Sequence, residues 1–173
     1  MSENKVGRTI VSIDPSNVHS AFVVVDENFV VSAKGIVENT ELCDYLKSLD
    51  KDVEVVIEGM QYMARRVGKD VFDTVLWIGI FYNICTERGI MPTQITRNSV
   101  RGYICKDMGV NDGDIRFALI ERFGKTGTKK NPNPNYDESN GKMSADMWSA
   151  LAIAVTYVES PRTHKKFIEK CKR

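Results

Sequence analysis

Two β-branched runs that each stop at an acidic residue constrain the fold of this chain more than any other feature. The run at 9–13 stops at Asp14, and the run at 53–57 stops at Glu58. Before the second run, Thr40 can cap a helix whose apolar residues are spaced i, i+3, i+4 and i+7: Leu42, Tyr45, Leu46 and Leu49. A strand, a helix and a strand predict a right-handed crossover and a parallel pairing. If the two runs are neighbours, Asp14 and Glu58 project from adjacent strand ends.

The remaining segments complete the prediction of an α/β fold. Apolar runs at 21–25 and 29–37 follow the first strand after short polar turns, which is typical of an antiparallel meander. The pattern also predicts a fifth strand at 92–96 and helices at 71–88, 98–105 and 112–123. Ser144 can cap a final helix with an apolar inner face: Met147, Ala150, Leu151, Ala154, Val155 and Val158. We therefore predict a mixed five-stranded sheet, three antiparallel strands plus parallel strands, flanked by helices.

Length and composition fit one soluble domain. The 173 residues suit a single domain spanning 1–173, and the 42% of hydrophobic residues are enough for a core. No apolar run reaches the ~18 residues that cross a bilayer. The polar residues 1–8 lack the apolar stretch of a secretory signal. We therefore expect a cytoplasmic protein that contacts no membrane.

The charge distribution is more informative than the net charge of +1. Residues 97–130 contain eight basic and four acidic residues, and residues 159–173 contain six basic and two acidic residues. Residues 38–58 contain seven acidic and two basic residues, so a polyanion could dock on the basic regions while the acidic one faces away. For any single cluster, a solvated helix face is an equally good interpretation. The Gly-, Lys-, Asn- and Pro-rich loop 124–142 is expected to be mobile, and the tail 162–173 is basic.

Three carboxylates in this chain could converge on a metal ion. Asp14 and Glu58 each follow an apolar strand, and Asp146 lies in the first turn of the apolar final helix. Converging carboxylates repel one another, and divalent cations such as Mg²⁺ remove that cost. Each residue also has a structural interpretation: Asp14 could cap the turn at Pro15, Glu58 could be an exposed strand end, and Asp146 could favour the helix dipole. Together, on these elements, they favour a metal site.

The sequence resembles a known family at this point. The segments IVSIDPSNVHSAF, VEVVIEG and ADMWSALAIAVTY resemble the three acidic motifs of RuvC, the Holliday junction resolvase. The segment NDGDIRFALIERFG, the Lys- and Pro-rich loop and DMWSALAIA look especially like phage-encoded RuvC-like proteins. The resemblance covers about residues 9–158. It implies a ribonuclease-H-like fold and a structure-selective endonuclease that cuts Holliday junctions and other branched DNA with Mg²⁺, for which Mn²⁺ could substitute. If the chain is phage-encoded, its compartment is the host cytoplasm.

The resemblance assigns catalytic and metal-binding roles to Asp14, Glu58 and Asp146. The second Asp of the family's final D-x-x-D pair is replaced by Ser149, which could reach a metal only weakly, through a neutral hydroxyl or a water. Whether a loop carboxylate replaces it stays open, with two candidates: Asp137 and Glu138.

Two further departures from the family concern the loops after the first two acids. Ser16 stands where RuvC usually has Gly, and Gln61 stands where it has an aromatic wedge. The nearest aromatic residue is Tyr62, which could stack on a base at the junction centre. A packed or exposed loop tyrosine is an equally good interpretation of Tyr62.

The resemblance also implies partners. Basic residues that would grip DNA phosphates are Arg65, Arg66, Lys69, Arg97, Arg101, Lys125, Lys129 and Lys130. A homodimer with two active sites would nick opposed strands symmetrically. The helix predicted at 71–88 is the candidate dimer element, and an entirely intramolecular core helix is the alternative. Two alternative functions stay open: a nuclease-fold protein that binds branched DNA without cutting, and a ribonuclease acting on RNA–DNA hybrids.

Overall fold

The computed structural model describes residues 7–61, 68–125, 133 and 143–160. It contains five strands: Ile10–Asp14 (β1), His19–Val25 (β2), Val31–Glu38 (β3), Glu54–Gly59 (β4) and Thr93–Thr96 (β5). It contains five helices: Asn39–Ser48 (α1), Lys69–Glu87 (α2), Arg97–Ile104 (α3), Asp112–Phe123 (α4) and Ala145–Glu159 (α5). The loop predicted to be mobile and the basic tail lie almost entirely outside the described residues. No helix in the described ranges is long and apolar enough to cross a membrane.

The five strands form one mixed sheet in the order β3-β2-β1-β4-β5. β2 pairs antiparallel with both β1 and β3, whereas β4 pairs parallel with both β1 and β5. This confirms the predicted α/β fold of three antiparallel strands plus parallel strands. The parallel neighbours β1 and β4 end at the same edge, which is the edge that carries Asp14 and Glu58.

The central strand β1 is buried on both faces, because helices cover both sides of the sheet. Val11 and Ile13 pack into the cluster formed with α1 and α2, and Ile10 packs into the cluster formed with α5 and its neighbours. Ser12 is fully buried on the α5 side, and its hydroxyl donates a hydrogen bond to the Ala150 carbonyl at 2.7 Å. This bond satisfies the only polar side chain in the interior of the strand and ties β1 to α5.

Helix α5 is buried on all sides rather than on the single inner face that the sequence predicts. Every residue from Trp148 to Tyr157 is buried, because the helix packs against the sheet on one side and against α3 and α4 on the other. The alanines at 150, 152 and 154 have no exposed surface, so they allow close packing on these sides. The predicted cap is confirmed, since the Ser144 side chain accepts a hydrogen bond from the Met147 amide.

Two predicted boundaries are wrong for local reasons. Helix α1 begins at Asn39 with Glu38 as its N-cap residue, so Thr40 is not the cap. The Asn39 amide instead donates to the Val18 carbonyl at 2.9 Å, which starts the helix earlier. The strand predicted from 29 begins at Val31, because Phe29 lies in a turn with a φ of 65°.

A buried polar network holds the loop that follows Asp14. The Ser20 hydroxyl donates to the Asn39 side-chain oxygen at 2.6 Å and accepts from the Ser16 amide at 3.2 Å. The Asn39 side-chain amide donates to the Ser16 carbonyl at 2.9 Å. Ser20 and Asn39 are buried, so these bonds fix the backbone at 16–18 against the start of α1.

Candidate active site

The ends of β1 and β4 bring two carboxyl groups into contact. Ile13 pairs with Ile57 across the parallel ladder, so Asp14 and Glu58 are the next residues on neighbouring strands. Their side chains share a hydrogen bond. Only 13% of the Asp14 side chain and 10% of the Glu58 side chain are exposed. The convergence predicted for these two acids is therefore present in the structure.

Burial changes the protonation of this pair. Burial, reinforced by the neighbouring Asp14 carboxylate, raises the pKa of Glu58 to about 9. Burial also raises the pKa of Asp14, although the hydrogen bond from Glu58 and the charge of Arg97 oppose that rise. The protonated Glu58 carboxyl therefore donates to the Asp14 carboxylate. The pair retains a proton at neutral pH because the surrounding groups do not neutralise two carboxylate charges. A bound cation would take the place of that proton.

Arg97 lies inside the carboxylate site. It begins α3 directly after β5, and β5 is the strand next to β4. Its Nε is 2.9 Å from Glu58 Oε1, and its Nη2 is 4.0 Å from Asp14 Oδ1. Its Nη1 is 3.6 Å from Asp112 Oδ1 and donates to the Ser149 hydroxyl at 3.2 Å. The sequence predicts Arg97 as a DNA contact, and the structure adds these four contacts within the site.

The start of α5 contributes Asp146 and Ser149. Asp146 lines a cavity of about 230 Å³ together with Asp14, His19 and Arg97, and its charge raises the pKa of Asp14. Ser149 is buried one turn further along the helix, and its hydroxyl accepts from Arg97. The structure thus places Asp146 near Asp14, and it places Ser149 in contact with Arg97, which in turn contacts Glu58.

Asp112 is a member of the site that sequence reasoning missed. The sequence marks it only as the first residue of the helix predicted at 112–123, and it does lie in the first turn of α4 after the Asn111 capping box. Its carboxylate pairs with Arg97, and its charge raises the pKa of both Asp14 and Glu58. No local sequence signal could reveal this role, because it depends on how α4 packs beside the start of α3.

The chemistry of these donors fits a hard divalent cation. Carboxylate and hydroxyl oxygens are the ligands that Mg²⁺ and Mn²⁺ prefer. Among the described residues, no three His, Cys, Asp or Glu side chains are grouped closely enough to hold a metal ion together. Asp14 and Glu58 are in contact, Asp146 faces Asp14 across the smaller cavity, and Arg97 lies among them. The donors therefore fit such an ion by type and by surplus negative charge.

A larger cavity of about 460 Å³ extends from Asp14 and Glu58 to α2 and α3. Arg101 lines it, and within the described part of the chain the buried Nε of Arg101 has no hydrogen-bond partner. Gln61, which the sequence resemblance aligns with an aromatic wedge, also lines this cavity.

The other predicted DNA contacts lie away from the two cavities or outside the described residues. Lys69 is exposed at the start of α2, with Asp73 at 3.9 Å, and Lys125 is exposed just after α4. Neither lysine lines the two cavities. Seven named candidates lie outside the described residues: Tyr62, Arg65, Arg66, Lys129, Lys130, Asp137 and Glu138.

The fold is shared with solved structures of resolvases. A structure of Thermus thermophilus RuvC is similar with a TM-score of 0.64 and 13% identity, over 90% of this chain and 97% of that one. T. thermophilus RuvC in complex with a Holliday junction substrate is similar with a TM-score of 0.63 and 14% identity, over 90% and 95%. The yeast mitochondrial Holliday junction resolvase Ydc2 is similar with a TM-score of 0.62 and 9% identity, over 96% and 84%.

These similarities establish the fold. The chain has the ribonuclease-H-like α/β fold of RuvC, as the sequence resemblance implies. No family model and no curated protein sequence matches the chain.

Proposed function

We propose that this chain is a divalent-metal-dependent endonuclease that hydrolyses phosphodiester bonds in Holliday junctions and other branched DNA. One observation carries the proposal: the buried carboxyl pair of Asp14 and Glu58, with Asp146 beside it, lies at the strand ends of a fold shared with RuvC. One of the similar structures holds a Holliday junction substrate. A buried acidic pair at a surface cleft is costly for stability, which supports a functional role.

The proposed mechanism assigns a task to each group in the site. Asp14, Glu58 and Asp146 would hold Mg²⁺, or Mn²⁺ in its place, and Glu58 must first lose its proton. When bound, such ions supply Lewis-acid activation of the attacking water and stabilisation of the leaving oxygen. Ser149 has a neutral hydroxyl already used by Arg97, so we assign it at most a weak contribution to metal binding.

Arg101 is the best supported DNA contact. Its side chain lines the larger cavity, so a phosphate oxygen there could accept from the guanidinium. Lys69 and Lys125 remain proposed contacts because both are exposed. Long lysine side chains can reach the phosphates of a DNA backbone from a distance. Such contacts set affinity and register without reading sequence.

We also propose a homodimer formed through α2. This helix packs Ile78, Phe81 and Cys85 into the core, yet Phe72 is 65% exposed and Leu76 is 64% exposed one turn later. Val75 extends this exposed apolar stripe. Apolar residues at i, i+3 and i+4 on a solvent face are typical of a helix that packs against a partner.

The dimer is tested by matched charge substitutions. Phe72→Glu should convert the protein to a monomer in light scattering coupled to gel filtration. Phe117→Glu is the control, because Phe117 on α4 is 62% exposed and lies outside the proposed stripe. A Phe72→Glu variant that stays dimeric would contradict the assignment to α2.

The central experiment follows strand cutting in a labelled four-way DNA junction, with and without Mg²⁺, beside Asp14→Asn. Paired symmetric nicks that require both Mg²⁺ and Asp14 are expected. Tight binding without cutting in Mg²⁺ or Mn²⁺ would contradict the nuclease proposal and favour the binding-only alternative, with Ser149 as the prime suspect. Preferred cutting of an RNA–DNA hybrid would favour the ribonuclease alternative.

A further inference from the structure

We propose that Arg97 is a built-in cation of the active site, which occupies the carboxylate cluster before a divalent ion binds and competes with that ion. The inference rests on the metal site proposed above. It adds a regulating residue to that site, because the occupancy of the metal would then depend on where the Arg97 guanidinium lies.

The contacts of Arg97 carry the inference. Each of its three guanidinium nitrogens is directed to a different part of the site. Nε faces Glu58 at 2.9 Å, and Nη2 faces Asp14 at 4.0 Å. Nη1 faces Asp112 at 3.6 Å and the Ser149 hydroxyl at 3.2 Å. The guanidinium thus uses the same oxygens that would otherwise be free to bind an ion.

The balance of charges makes the two cations alternatives. Three carboxyl groups surround one guanidinium whose side chain is 29% exposed, so solvent screens these interactions only in part. A divalent ion on Asp14 and Glu58 would repel a guanidinium at hydrogen-bond distance from Glu58. Binding of the ion therefore requires Arg97 to move away from Glu58.

The structure has space for this movement. Arg97 lines both the smaller cavity, beside Asp146, and the larger cavity, beside Arg101. It therefore forms part of the wall between them. A guanidinium that leaves Glu58 for the larger cavity reaches the surface that Arg101 also lines. The same residue can then serve as the DNA contact that the sequence predicts.

The test measures metal binding without DNA, so it does not depend on cutting. Binding of Mn²⁺ to the full chain is titrated by the loss of the free-ion electron paramagnetic resonance signal. Arg97→Gln removes the charge, and we expect it to bind Mn²⁺ about fivefold or more tightly than the wild type, a coupling of ordinary size for two linked sites. Arg88→Gln is the matched control, because it removes the same charge from an exposed residue at the end of α2 that lines neither cavity, and its Mn²⁺ affinity should stay within about twofold.

A second variant keeps the test valid if Arg97→Gln folds poorly without metal. Arg97→Lys retains the charge but cannot direct three nitrogens to separate groups, so its Mn²⁺ affinity should lie between those of the wild type and Arg97→Gln. Mn²⁺ should also raise the melting temperature of both Arg97 variants more than that of the wild type.

The outcomes separate this inference from the proposed function. Mn²⁺ binding that is unchanged or weaker in Arg97→Gln and Arg97→Lys would overturn the inference and leave the metal site intact. No Mn²⁺ binding by any protein, wild type included, would overturn the metal site and the inference with it. Tighter binding in the Arg97 variants alone would support both.

Discussion

The two ends of β4 place carboxyl groups in opposite electrostatic surroundings. At the start of the strand, Glu54 accepts hydrogen bonds from the Arg8 guanidinium and from the Tyr157 hydroxyl, so one acid is matched by one base. At the end of the strand, Glu58 shares the single guanidinium of Arg97 with Asp14 and Asp112. The first end is balanced and holds the terminus to the domain, whereas the second end has surplus negative charge.

A second balanced acid strengthens this comparison. Glu159, at the end of α5, is paired with Arg122 and accepts from the Tyr103 hydroxyl. The hydrogen bond from Arg122 lowers the pKa of Glu159, whereas burial beside Asp14 raises the pKa of Glu58. Glu159, an acid that stabilises the fold, is therefore favoured as an anion, whereas Glu58, the acid proposed for catalysis, is disfavoured as an anion until a cation arrives.

The largest expected effect is on junction cutting, and it tests the difference between Glu58 and Glu54 directly. Glu58→Gln removes a proposed metal ligand and should lower junction cutting by at least about 100-fold, since metal-ion catalysis supplies several kcal/mol. Glu54→Gln, on the same strand, should leave cutting within about twofold and lower the free energy of unfolding by about 1 kcal/mol, because its ion pair is partly exposed. Cleavage rates and urea unfolding of both variants provide the check. Equal loss of cutting in the two variants would indicate a general defect of folding.

The pH dependence of stability should sharpen the comparison. The folded state raises the pKa of Glu58 from 4.5 to about 9, so it favours the protonated carboxyl. The resulting stability is fully present below pH 4.5 and is lost as the pH rises towards 9, at up to about 1.4 kcal/mol per pH unit. Urea unfolding in EDTA between pH 5 and 9 measures this loss. Mg²⁺ should offset the loss, and Glu58→Gln should abolish it.

Glu159 should behave in the opposite way. Its lowered pKa gives stability that is present above its unfolded pKa and is lost as the pH falls through its folded pKa. A Glu58→Gln protein that still loses stability from pH 5 to 9 would show that another group causes the dependence.

The smallest expected effect concerns Ser149. Ser149→Ala should reduce cutting by only about two- to fivefold, because its neutral hydroxyl contacts Arg97 and is assigned at most a weak contribution to metal binding. Asp146→Asn should abolish cutting in the same assay. A loss in Ser149→Ala as large as that in Asp146→Asn would indicate that the hydroxyl acts as a metal ligand.

The fold could be predicted from the sequence because its signals are local. The runs at 9–13 and 53–57, each stopping at an acid, predict parallel neighbouring strands, and the register of Ile13 with Ile57 confirms that prediction. The start of α1 was predicted two residues late, because Asn39 is held by Val18 and Ser20, residues of an earlier loop and strand.

The site could be predicted only in part. Asp14 and Glu58 end adjacent strands, so their contact follows from the strand order. The contact of Arg97 with Asp112 could not be predicted, because it depends on the packing of α3 and α4. The residues around each of them in the sequence give no sign of this contact. Arg97 lies in a region rich in Lys and Arg, so the sequence predicts a DNA contact there. Nothing in the sequence distinguishes an arginine that contacts DNA from one that contacts carboxylates.

The burial of α5 from Trp148 to Tyr157 implies that the site has two halves of different opening free energy. Amide hydrogens of α5 should exchange with solvent only through global unfolding, because the helix is enclosed by the sheet and by α3 and α4. Asp146 and Ser149 are therefore attached to the part of the domain that opens last. Arg97 and Asp112 begin shorter helices with few buried residues, which can open locally. Adjustment of the site to an arriving ion or DNA strand is thus confined to the side that carries Arg97.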